Sequence, residues 1–186
     1  IIQGNVYVTN NAVLTIEPGT VIMGDADSKG TLVITKGAQI MAEGQVTDPI
    51  VFTSNRSMKK AGDWGGLVIL GDAPINKFGS VGSYNMDLDP ALTVYGGENA
   101  AGNSGILKFV RIEFAGKKVK GADSFNGLTV AGAGSKTVLE NIMVSYSGGD
   151  SFAFYGGDIN ASQLVSYKSI NDAFKFTQGA QCRLYN

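Results

Sequence analysis

Two stretches decide the fold: GGDSFAFYGG at residues 148–157 and SINDAFKFTQG at residues 169–179. Asp, a small residue, Phe, any residue and Phe return after 22 positions, placing Asp150 over Asp172, Phe152 over Phe174 and Phe154 over Phe176. The preceding segment, NGLTVAGAGSKTVLENIMVSYSGGD (126–150), puts Leu128 and Val130 in the places of the two phenylalanines, 24 residues earlier. Ile142 then stands over Leu164. Near the other end YVTNNAVLTIE (7–17) aligns with VITKGAQIMAE (33–43) at an offset of 26, with Val8 over Ile34 and Leu14 over Ile40. Both copies continue into a short apolar strand, TVIMG (20–24) and PIVFTS (49–54).

Units of about 22–26 residues, each with three short apolar strands between Gly, Asn or Asp turns, are too short for strands joined by crossover helices. A three-strand coil cannot bury its inner face alone and must stack on its neighbours at the spacing of paired strands. The expected fold is therefore all-β, a right-handed single-stranded parallel β-helix with almost no helix. Phe152 with Phe174, and Phe154 with Phe176, are expected to form inward stacks. One domain is expected over residues 1–186, as a portion of a longer solenoid or with its open ends covered by a stacking partner. The regularity breaks at 77–104 and again, more briefly, at 116–125, and both segments are read as loop excursions.

Composition agrees and removes several functions. The chain has 26 glycines and four prolines among its 186 residues. Lys plus Arg number 15 against 16 Asp plus Glu, so no strong field draws in nucleic acid. With no histidine and one cysteine, Cys182, a Ser-His-Asp or Cys-His catalytic set and an internal disulfide are excluded. No apolar run has the length of a transmembrane segment, and no leader pattern precedes IIQGNVYV. The absent leader is read as processed or trimmed.

GDWGGLVILGDAPIN (62–76), LTIEPGTVI (14–22), GAQIMAEGQVTDPIVFTS (37–54), LKFVRIEFAG (107–116) and the two opening motifs resemble a group of secreted or surface-anchored bacterial proteins, Bacteroidetes-type among them. Their fold is the pectate-lyase-like parallel β-helix, many are lipoproteins, and no common activity comes with the resemblance. It implies a location, secreted or at the outer cell surface. Members are acid-rich at the two motifs, where this chain has Gly149, Ala153, Asn171, Ala173, Lys175 and Thr177.

Three groups of residues carry candidate chemistry. Asn126, Asp150 and Asp172, with Asn171 beside the last, occupy equivalent corners, where stacked carboxylates could hold Ca²⁺ or could instead cap turn amides. Trp64, Tyr84 and Tyr95 could stack on sugar rings or pack under the long excursion. Arg111 is either a ligand-binding cation or the surface partner of Glu113, one alternation away on the same strand face. Lys117, Lys118 and Lys120 read as a solvated basic loop. Nothing in these spacings selects a catalytic set. The expected function is a non-catalytic extracellular or cell-surface module binding glycan or another surface component. A polysaccharide lyase or hydrolase and a structural solenoid segment of a larger adhesin or surface assembly are the alternatives.

Overall fold

The computed structural model describes residues 1–84, 86–119 and 123–185; Lys120 of the basic loop lies outside them. Six successive units stack through parallel pairing. The first holds β1 (Asn5–Val8), β2 (Val13–Ile16) and β3 (Val21–Gly24), and the second β4 (Thr31–Ile34), β5 (Gln39–Glu43) and β6 (Ile50–Ser54). The third begins with β7 (Gly66–Leu70). After an excursion with a 3₁₀ turn at Phe78–Ser80 and an antiparallel pair, β8 (Gly82–Ser83) and β9 (Val94–Tyr95), it ends with β10 (Gly105–Glu113). Then follow β11 (Leu128–Ala131) with β12 (Val138–Ser145), β13 (Phe152–Tyr155) with β14 (Asp158–Tyr167), and β15 (Phe174–Thr177) with β16 (Gln181–Tyr185). Among the described residues the 3₁₀ turn is the only helical element, and no helix is long and apolar enough to cross a membrane.

The repeats predicted the pairing of Val8 with Ile34, Leu14 with Ile40 and Ile142 with Leu164, and the short strands that follow the first pair join Val21 to Val51. One inward ladder runs Val6, Leu32, Leu67, Leu128, Phe152, Phe174, and its neighbour runs Val8, Ile34, Ile69, Val130, Phe154, Phe176. The phenylalanines stack face to face, with centroids 5.1 Å apart for 152/174 and 5.2 Å for 154/176. Each fully buried member of these ladders contributes about 1.5–3 kcal/mol by leaving water.

Three strands per unit hold only for the first two units. From the third unit on, two strands fuse into one bent strand: β10 pairs with β5 through Lys108 and with β6 from Val110 onward. The six residues 44–49 thus stand opposite Phe109 alone. Phe109, Asn141 and Gln163 make equivalent bends in β10, β12 and β14 with φ of 48°, 53° and 53°. A single left-handed residue turns the corner, which shortens the later units.

Both excursions fold over the outward face of the sheet β1-β4-β7-β11-β13-β15. There Tyr84, Leu88, Tyr95 and Phe125 pack on Val33, Val68, Leu70 and Ala131 as a second core. Tyr84 Oη lies 3.2 Å from Thr129 Oγ1, the Asp89 amide donates to Tyr7 Oη at 2.9 Å, and Asn5 Nδ2 donates to the Asp87 carbonyl at 3.0 Å. Strands β4, β7 and β11 are consequently buried on both faces. At β13 the same outward face carries Tyr155, whose ring meets Tyr84 of the cover edge-on with centroids 5.8 Å apart, and at β15 it carries Lys175.

Candidate functional site

The corner residues Asn126, Asp150 and Asp172 form a ladder with a definite purpose. Asn126 Oδ1 accepts the amide of Asp150 at 3.2 Å, and Asp150 Oδ1 accepts the amide of Asp172 at 3.1 Å. Each side chain caps the equivalent amide one unit further on, so an acceptor must return at every coil. Asn126 and Asp150 are buried, at 4% and 2% exposure. Asn171 Nδ2 also donates to Asp150 Oδ1, and Lys175 Nζ lies 3.5 Å from Asp150 Oδ2. Asn126 turns its own amide to Thr129 Oγ1 at 3.0 Å.

This arrangement does not fit a calcium ion. The one buried carboxylate is already met by two N–H donors and an ammonium, and a divalent cation there would face Lys175. The side chain of Asp172 is exposed and is not part of the cluster. Among the described residues no three Asp, Glu, His or Cys side chains are placed to share a metal.

The ladder instead floors a polar groove of about 350 Å³. The second excursion supplies Lys118, Asp123 and Ser124, and the first supplies Met86. Asn126, Asp150, Tyr155, Asn171 and Lys175 supply most of its other polar groups, and Gly148, Gly149 and Ile170 complete the lining. Glycines at 148 and 149 let the excursion approach: a Cβ on Gly149 would strike the Phe125 carbonyl, and one on Gly148 the Gly116 carbonyl. That close approach is why position 149 cannot carry a side chain. Burial alone would lower the Lys175 ammonium, but Tyr155 and Asp150 beside it outweigh that and hold its pKa above the ordinary lysine value.

The remaining candidates lie elsewhere. Trp64 is fully buried inside the coil stack, stacked on Phe52 at 6.5 Å, with Nε1 donating to the Glu113 carbonyl at 2.8 Å. Tyr84 and Tyr95 are buried in the second core, and burial raises both phenols above their usual pKa. Tyr95 Oη donates to Gln178 Oε1 at 2.9 Å. None of these three rings presents a face to a ligand; they pack. Arg111 is exposed on β10, outside the groove, and Glu113 accepts from Thr53 Oγ1 at 3.0 Å instead of pairing with it. Lys117 is not solvated, as the sequence suggested, but 4% exposed, its ammonium 4.7 Å from the Phe125 ring centre.

Parallel strands in six stacked units, a second core over one sheet and a groove at the turns define a parallel β-helix protein. A family model described as pectate-lyase like beta helix domain matches residues 1–185, and the chain belongs to that family. Comparison with curated proteins gives no match. Comparison with solved structures gives none either.

Proposed function

We propose that the chain is a right-handed β-helix module, secreted or held at the outer surface of a bacterium, that binds a glycan in the groove over the Asn126–Asp150 ladder without cleaving it. The observation that carries this reading is the groove's lining. Ionic, amide, hydroxyl and phenol groups converge there on one concave site, the mixture of donors and acceptors that recognises sugar hydroxyls. The sheet face that could otherwise take a ligand is covered by the excursions, which leaves this turn side open.

A lyase or hydrolase receives less support. Elimination needs a basic group able to give up its proton near neutral pH, and hydrolysis needs paired acids. Lys175 is the cation closest to Asp150, and its raised pKa keeps it protonated. It serves as a fixed positive charge.

The test is titration of neutral and acidic oligosaccharides, with and without Ca²⁺, following both binding and new chain ends. Saturable binding without new ends, weakened at least several-fold by Lys175→Gln, is the expected result. Release of product, or no binding by any glycan, overturns the reading.

A further inference from the structure

Beside the groove lies a concentration of charge of which the groove shares only Lys118. A cavity of about 260 Å³ opens between the turn after β3, the loop joining β6 to β7, and the start of the second excursion. It meets the groove at Lys118, Gly148 and Ile170. Lys29, Arg56, Lys60 and Lys118 line it, a local reversal of sign in a chain of net charge −1. Among the described residues the ammonium groups of Lys29, Lys60 and Lys118 have no ion-pair partner. Behind them sits Lys117, with Nζ 3.1 Å from the Lys29 carbonyl. Burial, with the Lys29 charge adding to it, holds Lys117 below the ordinary lysine pKa.

The cavity's one carboxylate is Asp63, 3% exposed. Its Oδ2 accepts from Ser54 Oγ at 2.7 Å and from the Lys60 amide at 3.0 Å. Its Oδ1 receives no hydrogen bond and faces Arg56 Nη1 at 3.7 Å. A buried acceptor left without a donor is costly and uncommon. Arg56 itself is only half engaged, since its other contact, at 3.3 Å, is to Asp27, a side chain 93% exposed.

We infer that this cavity binds a phosphate or sulfate ester on a hydroxylated ligand, the cations taking the ester oxygens while Asp63, buried behind Arg56, faces that guanidinium from within the wall. A tetrahedral ester presents three terminal oxygens and can meet cations from three chain segments at once, whereas a carboxylate offers two oxygens in one plane. That the carrier is a glycan rests on the reading above; the oxyanion site stands without it.

The test uses the whole chain. Inorganic phosphate and inorganic sulfate are titrated by calorimetry, followed by oligosaccharides of one backbone that are neutral, uronate-bearing, sulfated or phosphorylated. The double variant Lys29→Gln/Lys60→Gln changes two exposed side chains that line the cavity and not the groove, and a melting temperature within a few degrees of wild type confirms its fold. The expected result is binding of at least one inorganic ion and a ten-fold or greater preference for its ester over the neutral backbone. Both are lost in the double variant and weakened by added salt, while Lys175→Gln lowers binding of ester and neutral backbone alike. The ester preferred identifies the source. Equal binding of ester, uronate and neutral backbone, or a preference that survives the double variant, overturns the inference while leaving the groove reading in place. An inorganic ion that binds wild type but not the double variant, with no oligosaccharide binding, supports the oxyanion site and removes the glycan.

Discussion

Asp63 and Asp150 are two buried carboxylates, 3% and 2% exposed, placed about 90 residues apart in sequence on adjoining parts of one surface. Asp150 is saturated: two N–H donors reach Oδ1 and an ammonium stands by Oδ2. Asp63 is saturated on one oxygen and open on the other. The first is explained entirely by the coil that it caps. The second is only partly explained by its own fold, and the unexplained half faces Arg56 beside a cavity lined by the ammonium groups of Lys29, Lys60 and Lys118. Two residues of equal burial thus divide into a structural carboxylate and one left with an unmet oxygen, and the count of donors, not the burial, separates them.

The largest effect that would break this comparison is at Asp150. Asp150→Ala leaves the Asn171 amide, the Asp172 N–H and the Lys175 ammonium without their acceptor, and a donor left unmet at a buried site costs about 1–3 kcal/mol. Asp150→Asn can keep Oδ1 as the acceptor of both amides but sets an N–H₂ group in place of Oδ2 beside the Lys175 ammonium, and is expected to cost about 1–2 kcal/mol. Urea unfolding measures both. An alanine variant within about 1 kcal/mol of wild type would show that the ladder is decoration.

A smaller effect sharpens the other side. In Asp63→Asn the side-chain oxygen can still accept from Ser54 and Lys60, and the new amide group occupies the place of the orphaned Oδ1. Stability is expected to stay within about 1 kcal/mol of wild type, because the lost contact to Arg56 is long and one unmet buried group, the carboxylate oxygen, is exchanged for another, the amide donor. Affinity for inorganic phosphate or sulfate should rise several-fold as a repelling charge leaves the cavity. A loss of more than about 2 kcal/mol, read from the same urea curves, would place Asp63 with Asp150 as a structural residue.

The interior was legible in the sequence because strand alternation and coil period act on the same positions: Leu128, Phe152 and Phe174 share a ladder by spacing alone. The corner positions were legible too, but not their task. A recurrent Asp serves equally as a cation ligand or an amide cap, and only the direction in which its oxygen faces the next unit decides between them. The strand fusion at Phe109, Asn141 and Gln163 left little mark, since a left-handed residue other than glycine has no strong compositional signature. Trp64, Tyr84 and Tyr95 misled because a ring suited to sugar is equally suited to a core, and the covering excursion has no period to announce where it lands. The cationic cavity was invisible because its cations come from three separate segments, Lys29 from one turn, Arg56 and Lys60 from the loop between β6 and β7, and Lys118 from the second excursion. Its one trace was Asp63 in GDWGG, within the stretch that carries the family resemblance.

The smallest expected effect is the pH dependence of the Asp150–Lys175 contact. The folded-state pKa of Lys175 lies above its unfolded value, so the stability tied to its charge is fully present below the ordinary lysine pKa of 10.5. It is lost as pH rises through the higher folded value. The Lys175 side chain is 40% exposed, so solvent screening holds the contribution to about 0.5 kcal/mol, well short of what a buried pair would give. Wild type and Lys175→Gln should therefore differ by a small, constant amount between pH 7 and 10 and converge above it. Urea midpoints across that range test the sign. Divergence on raising the pH would mean that the ammonium is strained against its surroundings rather than held by Asp150, and the Asp150 carboxylate would then owe its saturation to the two N–H donors alone.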